Sequence, residues 1–217
     1  KRMKTCQVPI IFDPRVARQL LSTFAGAISG SAIARGTSFL KESMHKSLFS
    51  DAITIMDDPL RKRGLGSKPF DGEGMLAEPL TLVDKGVLNH WLLSHRSANQ
   101  LGLKSNGRAS RGVSSLPGPS APNCYIEAGE LSPEALMGEI ESGFYVTETF
   151  GMGVNTVTGD YSQGAAGFWI EKGQKAFPVS EVTIAGTLQE MFAAMTPAND
   201  LVFDYRINAP TLRVEKM

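Results

Sequence analysis

The residues able to do chemistry are few and scattered. Three histidines occur, His45, His90 and His95, and none makes a ligand pair by local spacing. His45 lies among Lys and Ser in a stretch that reads as helical, where a solvated face is expected. His90 and His95, in "NHWLLSH", would sit on opposite faces of a strand and diverge by more than a quarter turn on a helix. They read as structural or surface residues. No H-E-x-x-H occurs, so the usual sequence evidence for a helical zinc site with a general-base Glu is absent. The two cysteines, Cys6 and Cys124, are far apart and in no metal-ligand spacing. Such sparse use fits unpaired thiols in a reducing cytoplasm.

Two glycine-rich stretches invite a closer look. "FDGEG" sets Asp71 and Glu73 among glycines. Two carboxylates could touch Ca²⁺ or Mg²⁺, but the stretch lacks the ligand count those ions need, and a turn leading into a hairpin is the simpler reading. "GMGVNTVTGDYSQGAAG", residues 151–167, has no third glycine at dinucleotide spacing and no GK[ST] for a P-loop. Ser162 lacks the G-x-S-x-G setting of a nucleophile elbow. Such a loop lets other backbone come close, which suits an interface or an extended peptide, and tight turns explain it equally well.

The elements that must carry these residues are easier to read. Asp13 can cap a helix that starts at Pro14, and Val16, Leu20, Phe24 and Ile28 form its apolar stripe. Its second half, "FAGAISGSAIARGTSFL", is built of small residues with poor helix propensity, so close packing must hold it. A second helical piece is expected over residues 39–48. Asp84-Lys85-Gly86 and Glu171-Lys172-Gly173 each separate two apolar runs, a hairpin signal, and "LVFDYRINAPTLRVEKM" reads as a third pair. Short helices are expected over residues 96–101, after the Ser132-Pro133 cap, and after a Thr187/Glu190 capping box. The Ser105 to Asn123 segment is too long for an ordinary connection, as functional or mobile loops are. The fold class is α+β, with mainly antiparallel hairpins in a sandwich or barrel-like arrangement and packed helices.

Bulk properties set limits. Lys plus Arg equals Asp plus Glu, 22 each, so a broad electrostatic footprint for nucleic acid is not expected. The basic patch "RKRGLGSK", residues 61–68, reads as a solvated loop. No apolar run is long enough to span a bilayer, and "KRMKTCQVPIIF" has too short an apolar stretch for a signal peptide. A cytoplasmic location is expected. Because the chain begins at Lys1, upstream sequence is also expected.

Three long stretches go further: "GAISGSAIARGTSFL", "PFDGEGMLAEPLTLVDKGVLNHWLLSHRSANQLGLKSNGRASR" and "TGDYSQGAAGFWIEKGQKAFPVSEVTIAGTLQEMF". Together they resemble the C-terminal half of the TldD/PmbA family, the PmbA (TldE) branch in particular. The resemblance implies that residues 1–217 form the C-terminal domain and that an N-terminal domain of similar size normally precedes it. TldD-type chains are similar to zinc metalloproteases with H-E-x-x-x-H before an "RGTS"-like stretch and a Cys ligand near the C-terminus. Aligned without gaps on Arg35 to Ser38, the two His positions fall on Leu21 and Gly26 and the Glu position on Ser22. The Cys loop falls near Asp204 to Ala209, which holds no Cys. The implied role is therefore a non-catalytic subunit, with zinc expected in a TldD-like partner and none in this chain. The family implies a heterodimer enclosing a chamber in which extended peptides are processed; pairing with itself as a homodimer is the other expectation. Gly164, Ala165, Ala166 and Gly167, with the Ser105 to Asn123 loop, are the first candidates for peptide or subunit contact. Two alternatives stand beside this. One is a stand-alone regulatory protein of the DNA gyrase modulator type, acting through protein contacts. The other is a metal-dependent peptidase drawing ligands from His45, His90, His95, Cys124 or the missing domain.

Overall fold

The structure, a computed structural model, describes residues 4–217, so the first three residues of the basic N-terminal segment lie outside it. Helix α1 (Pro14–Ala27) starts where its chemistry predicts. The Asp13 carboxylate accepts from the Arg15 N–H at 3.0 Å, and Pro14 takes the first turn. Val16, Leu20, Phe24 and Ile28 are all buried. The Phe24 ring meets Phe49 and Phe192 edge-on, with centroids 5.1 and 5.9 Å away. A break at Ile28 and Ser29 leads into the short α2 (Gly30–Ala34).

Two open sheets share one core with α1. The first contains β1 (Ile10–Phe12), β8 (Ser142–Phe150), β9 (Asp160–Glu171), β10 (Gln174–Thr187), β11 (Met195–Pro197) and β13 (Leu212–Val214), in the order β10-β9-β8-β1-β13-β11. The second contains β2 (Ile55–Asp57), β3 (Leu80–Asp84), β4 (Val87–Leu88), β7 (Cys124–Ile126) and β12 (Ile207–Asn208), in the order β12-β7-β2-β3-β4. A two-stranded ribbon joins β5 (Ala109–Ser110) to β6 (Gly118–Pro119). Pairing is antiparallel except for β1 with β8 and β12 with β7. The α+β class with sandwich-like packing holds, and no closed barrel forms, because each sheet keeps two edges. Helix α1 contacts β8 of one sheet and β12 of the other.

Both Lys-Gly turns make the predicted hairpins. Lys85 and Gly86 have φ of 43° and 82°, and Lys172 and Gly173 have 49° and 75°. Two consecutive left-handed residues give the turn whose twist matches that of the strands. The three short helices also form: α3 (His95–Gln100), α4 (Pro133–Gly138) and α5 (Leu188–Ala193). Their N-caps are Ser94, Ser132 and Thr187, each with a side-chain cap bond.

Two expectations fail. Residues 39–48 form turns rather than a helix, because tertiary pairing takes their backbone. His45 N–H donates to Leu88 O, and Leu48 N–H donates to Gly86 O. His45 itself is left-handed, with φ of 62°, and solvent-exposed. The C-terminal stretch is not a hairpin either. β12 runs parallel to β7 in one sheet, while β13 pairs with β1 and β11 in the other. The link between them, residues 209–211, crosses from sheet to sheet, and Pro210 leaves no N–H there for a hairpin ladder.

Candidate functional site

A cleft of about 700 Å³ opens beside α1, on the face opposite its apolar stripe. Ser22, Ala25, Gly26 and Ser29 line it at helical spacing. Ala32, Arg35 and Thr37 continue the wall beyond α2. Pro119 to Ala121 close one side, Thr156 and Val157 of the β8–β9 connection another, and Arg206 with Ile207 of β12 a third. Small side chains make the cleft. A Cβ added to Gly26 would meet nothing within 4 Å.

Gly30, one turn further, has a different reason to be glycine. The Ser29–Gly30 backbone pairs with Leu92, Gly30 N–H donating to Leu92 O at 2.8 Å and Leu92 N–H to Ile28 O at 3.0 Å. A Cβ at Gly30 would lie 2.7 Å from Leu93 Cδ2 and 2.9 Å from Leu92 O. The packing expected of the small residues is thus met at Gly30, while Gly26 opens space.

The positions singled out from sequence separate accordingly. Ser22 and Gly26 face the cleft, and the Asp204 to Ala209 segment faces it too, through Arg206 and Ile207. Leu21 does not, being 2% exposed within the apolar core. Residues five apart point about 140° away from each other on a regular helix, so Leu21 and Gly26 cannot share a face. None of Leu21, Ser22, Gly26, Arg206 and Ile207 offers a carboxylate, imidazole or thiolate, so this donor set does not fit zinc. Among the described residues no three His, Cys, Asp or Glu side chains come together where they could hold a metal ion. His90 and His95 are exposed and lie on neither a common strand nor a common helix. Cys124 is fully buried, and burial pushes its thiol well above the usual range.

Gly164 to Gly167 lie inside β9, a central strand. Val146 to Phe150 of β8 pair with them on one edge and Val179 to Thr183 of β10 on the other. A side chain at Gly164 would strike the Phe150 ring, and one at Gly167 the Tyr145 backbone. These glycines serve intramolecular packing, and no strand edge is free at this segment. The edges of that sheet are β10 and β11.

The Ser105 to Asn123 segment is anchored by a buried ionic network that the sequence reading missed. Arg108 and Asp57 are both 0% exposed and form an ion pair. Arg108 also donates to Glu78 O at 2.6 Å, Asn106 O at 3.0 Å and Asp57 O at 3.1 Å. The Asp57 carboxylate accepts from Asn123 N–H at 2.9 Å, and Asp71 from Ala109 N–H at 2.9 Å. Glu73 accepts from His95 N–H at 2.8 Å. The "FDGEG" carboxylates therefore hold backbone, as a turn would. Ser120 N–H donates to Arg108 O at 2.7 Å, which carries the network to the cleft wall. At the far tip, Val113 and Leu116 stand fully or largely exposed.

Charge at the cleft is one-sided. Its charged lining residues are Arg35 and Arg206, with no acid among them. Arg18, one turn before Ser22, lies over the Tyr205 ring at 4.0 Å, and Arg61 over Phe203 at 3.1 Å. Burial lowers the Lys68 pKa, opposed by Asp71 and reinforced by the nearby Arg206 charge. The sequence signal was available for the two lining arginines: Arg35 sits in "RGTS" and Arg206 in the Asp204 to Ala209 segment, both already singled out.

Comparison with known proteins identifies the family. The PmbA/TldA metallopeptidase C-terminal domain family matches residues 5–217. Metalloprotease PmbA of Escherichia coli O157:H7 is 41% identical over 202 residues, covering 93% of this chain and 43% of that protein. The Haemophilus influenzae homolog is 38% identical over 218 residues, covering 100% and 47%. Among solved structures, TldE from Thermococcus kodakarensis superposes with a TM-score of 0.89 at 26% identity, covering 99% of this chain and 50% of that one. A Thermotoga maritima protein whose given name is modulator of a DNA gyrase superposes with a TM-score of 0.91 at 28% identity, covering 100% and 50%. The chain spans about half the length of the relatives it matches. It belongs to the PmbA/TldD metallopeptidase family.

Proposed function

We propose that this chain is part of a non-catalytic subunit of a TldD/TldE-type zinc metallopeptidase complex. Its role is to pair with a metal-bearing TldD-like subunit and to form part of the wall around extended peptide substrates. One observation carries the reading. The helical wall and the β12 segment that meet across the cleft supply Ser22, Ala25, Gly26, Ser29, Arg206 and Ile207. Zinc takes thiolate, imidazole or carboxylate ligands, and general-base chemistry needs a titratable group near neutral pH. Neither is present on these surfaces.

The test is the zinc content of the full-length protein, purified alone and without a metal-binding tag. Zinc near zero is expected, with peptide hydrolysis arising only when a metal-bearing relative is added. About one zinc per chain, under tetrahedral structural or catalytic ligation, would overturn the reading in favour of a peptidase in its own right. The name of the Thermotoga relative supports a second reading, a regulator acting through protein contacts. Co-purification with gyrase, and with no metal-bearing relative, would establish that one instead.

A further inference from the structure

The cleft's lining residues include no metal ligand of the carboxylate, imidazole or thiolate kind, and its charged residues are both arginines. Arg35 caps the C-terminus of α2, and its guanidinium has no hydrogen bond or ion pair among the described residues. Arg206 uses only its Nε, which donates to Pro122 O at 3.3 Å, and so keeps both terminal amino groups free. Ser22 and Ser29 add hydroxyl donors on the same wall, while the Thr37 hydroxyl donates to Ala32 O at 3.3 Å. A guanidinium fork matches a carboxylate in a bidentate pair, and such charge-assisted bonds are among the strongest the side chains make. No acid among the lining residues competes for them. The cleft also runs beside β12, the edge strand of its sheet, so an extended segment lying in it has unpaired backbone alongside.

We propose that this cleft is a carboxylate-binding site in which Arg35 and Arg206 take the C-terminal carboxylate of an extended peptide. The inference deepens the subunit reading and rests on it for the peptide. A cleft lined by arginine forks and hydroxyls, with no metal ligand among its lining residues, is suited to end recognition rather than bond cleavage. The site reads a chain terminus and a backbone, with little demand on side chains.

The test titrates the full-length protein with an unstructured peptide bearing a free C-terminal carboxylate and with the same peptide as its amide. The acid is expected to bind about tenfold tighter or more, a preference that shrinks as salt rises. Arg35→Gln with Arg206→Gln should erase that preference and leave the amide's affinity unchanged. Both side chains are exposed, so the thermal transition of the double variant should match the wild type. Equal binding of acid and amide would overturn the proposal, as would a preference that survives in the double variant. Inorganic phosphate binding more tightly than the peptide acid would assign the cleft to a small free anion and overturn the peptide source. Partner-dependent cleavage separates this from the subunit reading. If the complex cuts acid and amide alike and the lone protein binds them alike, the carboxylate site falls and the subunit stands.

Discussion

Two regions of this molecule are built around arginine, and they use it in opposite ways. Around Arg108 the partners come from within the protein: four backbone carbonyls and the Asp57 carboxylate surround a side chain with no exposed surface. At the cleft, Arg35 and Arg206 stay exposed, and among the described residues most of their donors have no partner. Burial explains the difference. A charge removed from water needs a full set of partners or it costs several kcal/mol, roughly. A charge at the mouth of a cleft keeps its hydration and can exchange it for a ligand. The first arginine holds a loop, and the other two are free to recognise something.

The largest effect expected from breaking this contrast comes at the buried pair. Arg108→Met leaves Asp57 without its counter-ion and frees the Ser105 to Asn123 segment, and should destabilise the fold by about 3–5 kcal/mol in chemical denaturation. Arg35→Met should change stability by less than about 0.5 kcal/mol, as surface substitutions do. The pH dependence has a definite sign. Burial raises the Asp57 pKa, with Arg108 pulling it back down. Without the guanidinium the carboxyl rises further, so the deficit of Arg108→Met should narrow as the pH falls and Asp57 protonates. Cys124 gives a local readout, since it is buried and feels both Asp57 and Arg108. In the wild type one thiol, the exposed Cys6, should react with a thiol reagent without denaturant. In Arg108→Met, Cys124 should react as well. Equal stability of the two arginine variants would remove the distinction between the regions.

A smaller effect sharpens the comparison along one helix-to-helix junction. Gly30→Ala puts a methyl against Leu92 O and the Leu93 side chain, where backbone must shift. A loss of about 1–3 kcal/mol is expected, the range seen when a packed site is overfilled.

How much of this was legible beforehand depends on the range of the interaction. The cap at Asp13, the Val16-Leu20-Phe24-Ile28 stripe and both Lys-Gly hairpins are local, and each formed as the residues indicate. Residues 39–48 were misread because their backbone pairs with residues 86–88, a partner that periodicity does not reveal. β12 and β13 were misread because each finds its neighbour in a different sheet. The same limit hid the site. The resemblance marks Leu21, Ser22 and Gly26 together, and Arg206 only as part of the Asp204 to Ala209 loop. Only the packing of α1 against β12 brings Ser22, Gly26 and Arg206 to one cleft, and only the burial of Arg108 tells it apart from Arg35.

The smallest effect is the most specific to the cleft. Gly26 is a helical glycine beside open space, with no atom to obstruct a methyl. Gly26→Ala removes the entropic penalty of glycine and should stabilise the protein, by up to about 1 kcal/mol at a helix interior and less so near the end of α1. The same change that destabilises at Gly30 should therefore be neutral or favourable four residues earlier. A thermal transition lowered by Gly26→Ala would mean that the helix is closely covered there. In that case the cleft, and the carboxylate site proposed within it, would be closed in solution. A raised transition with an unchanged preference for the peptide acid would mean that the glycine is kept neither for packing nor for terminus recognition.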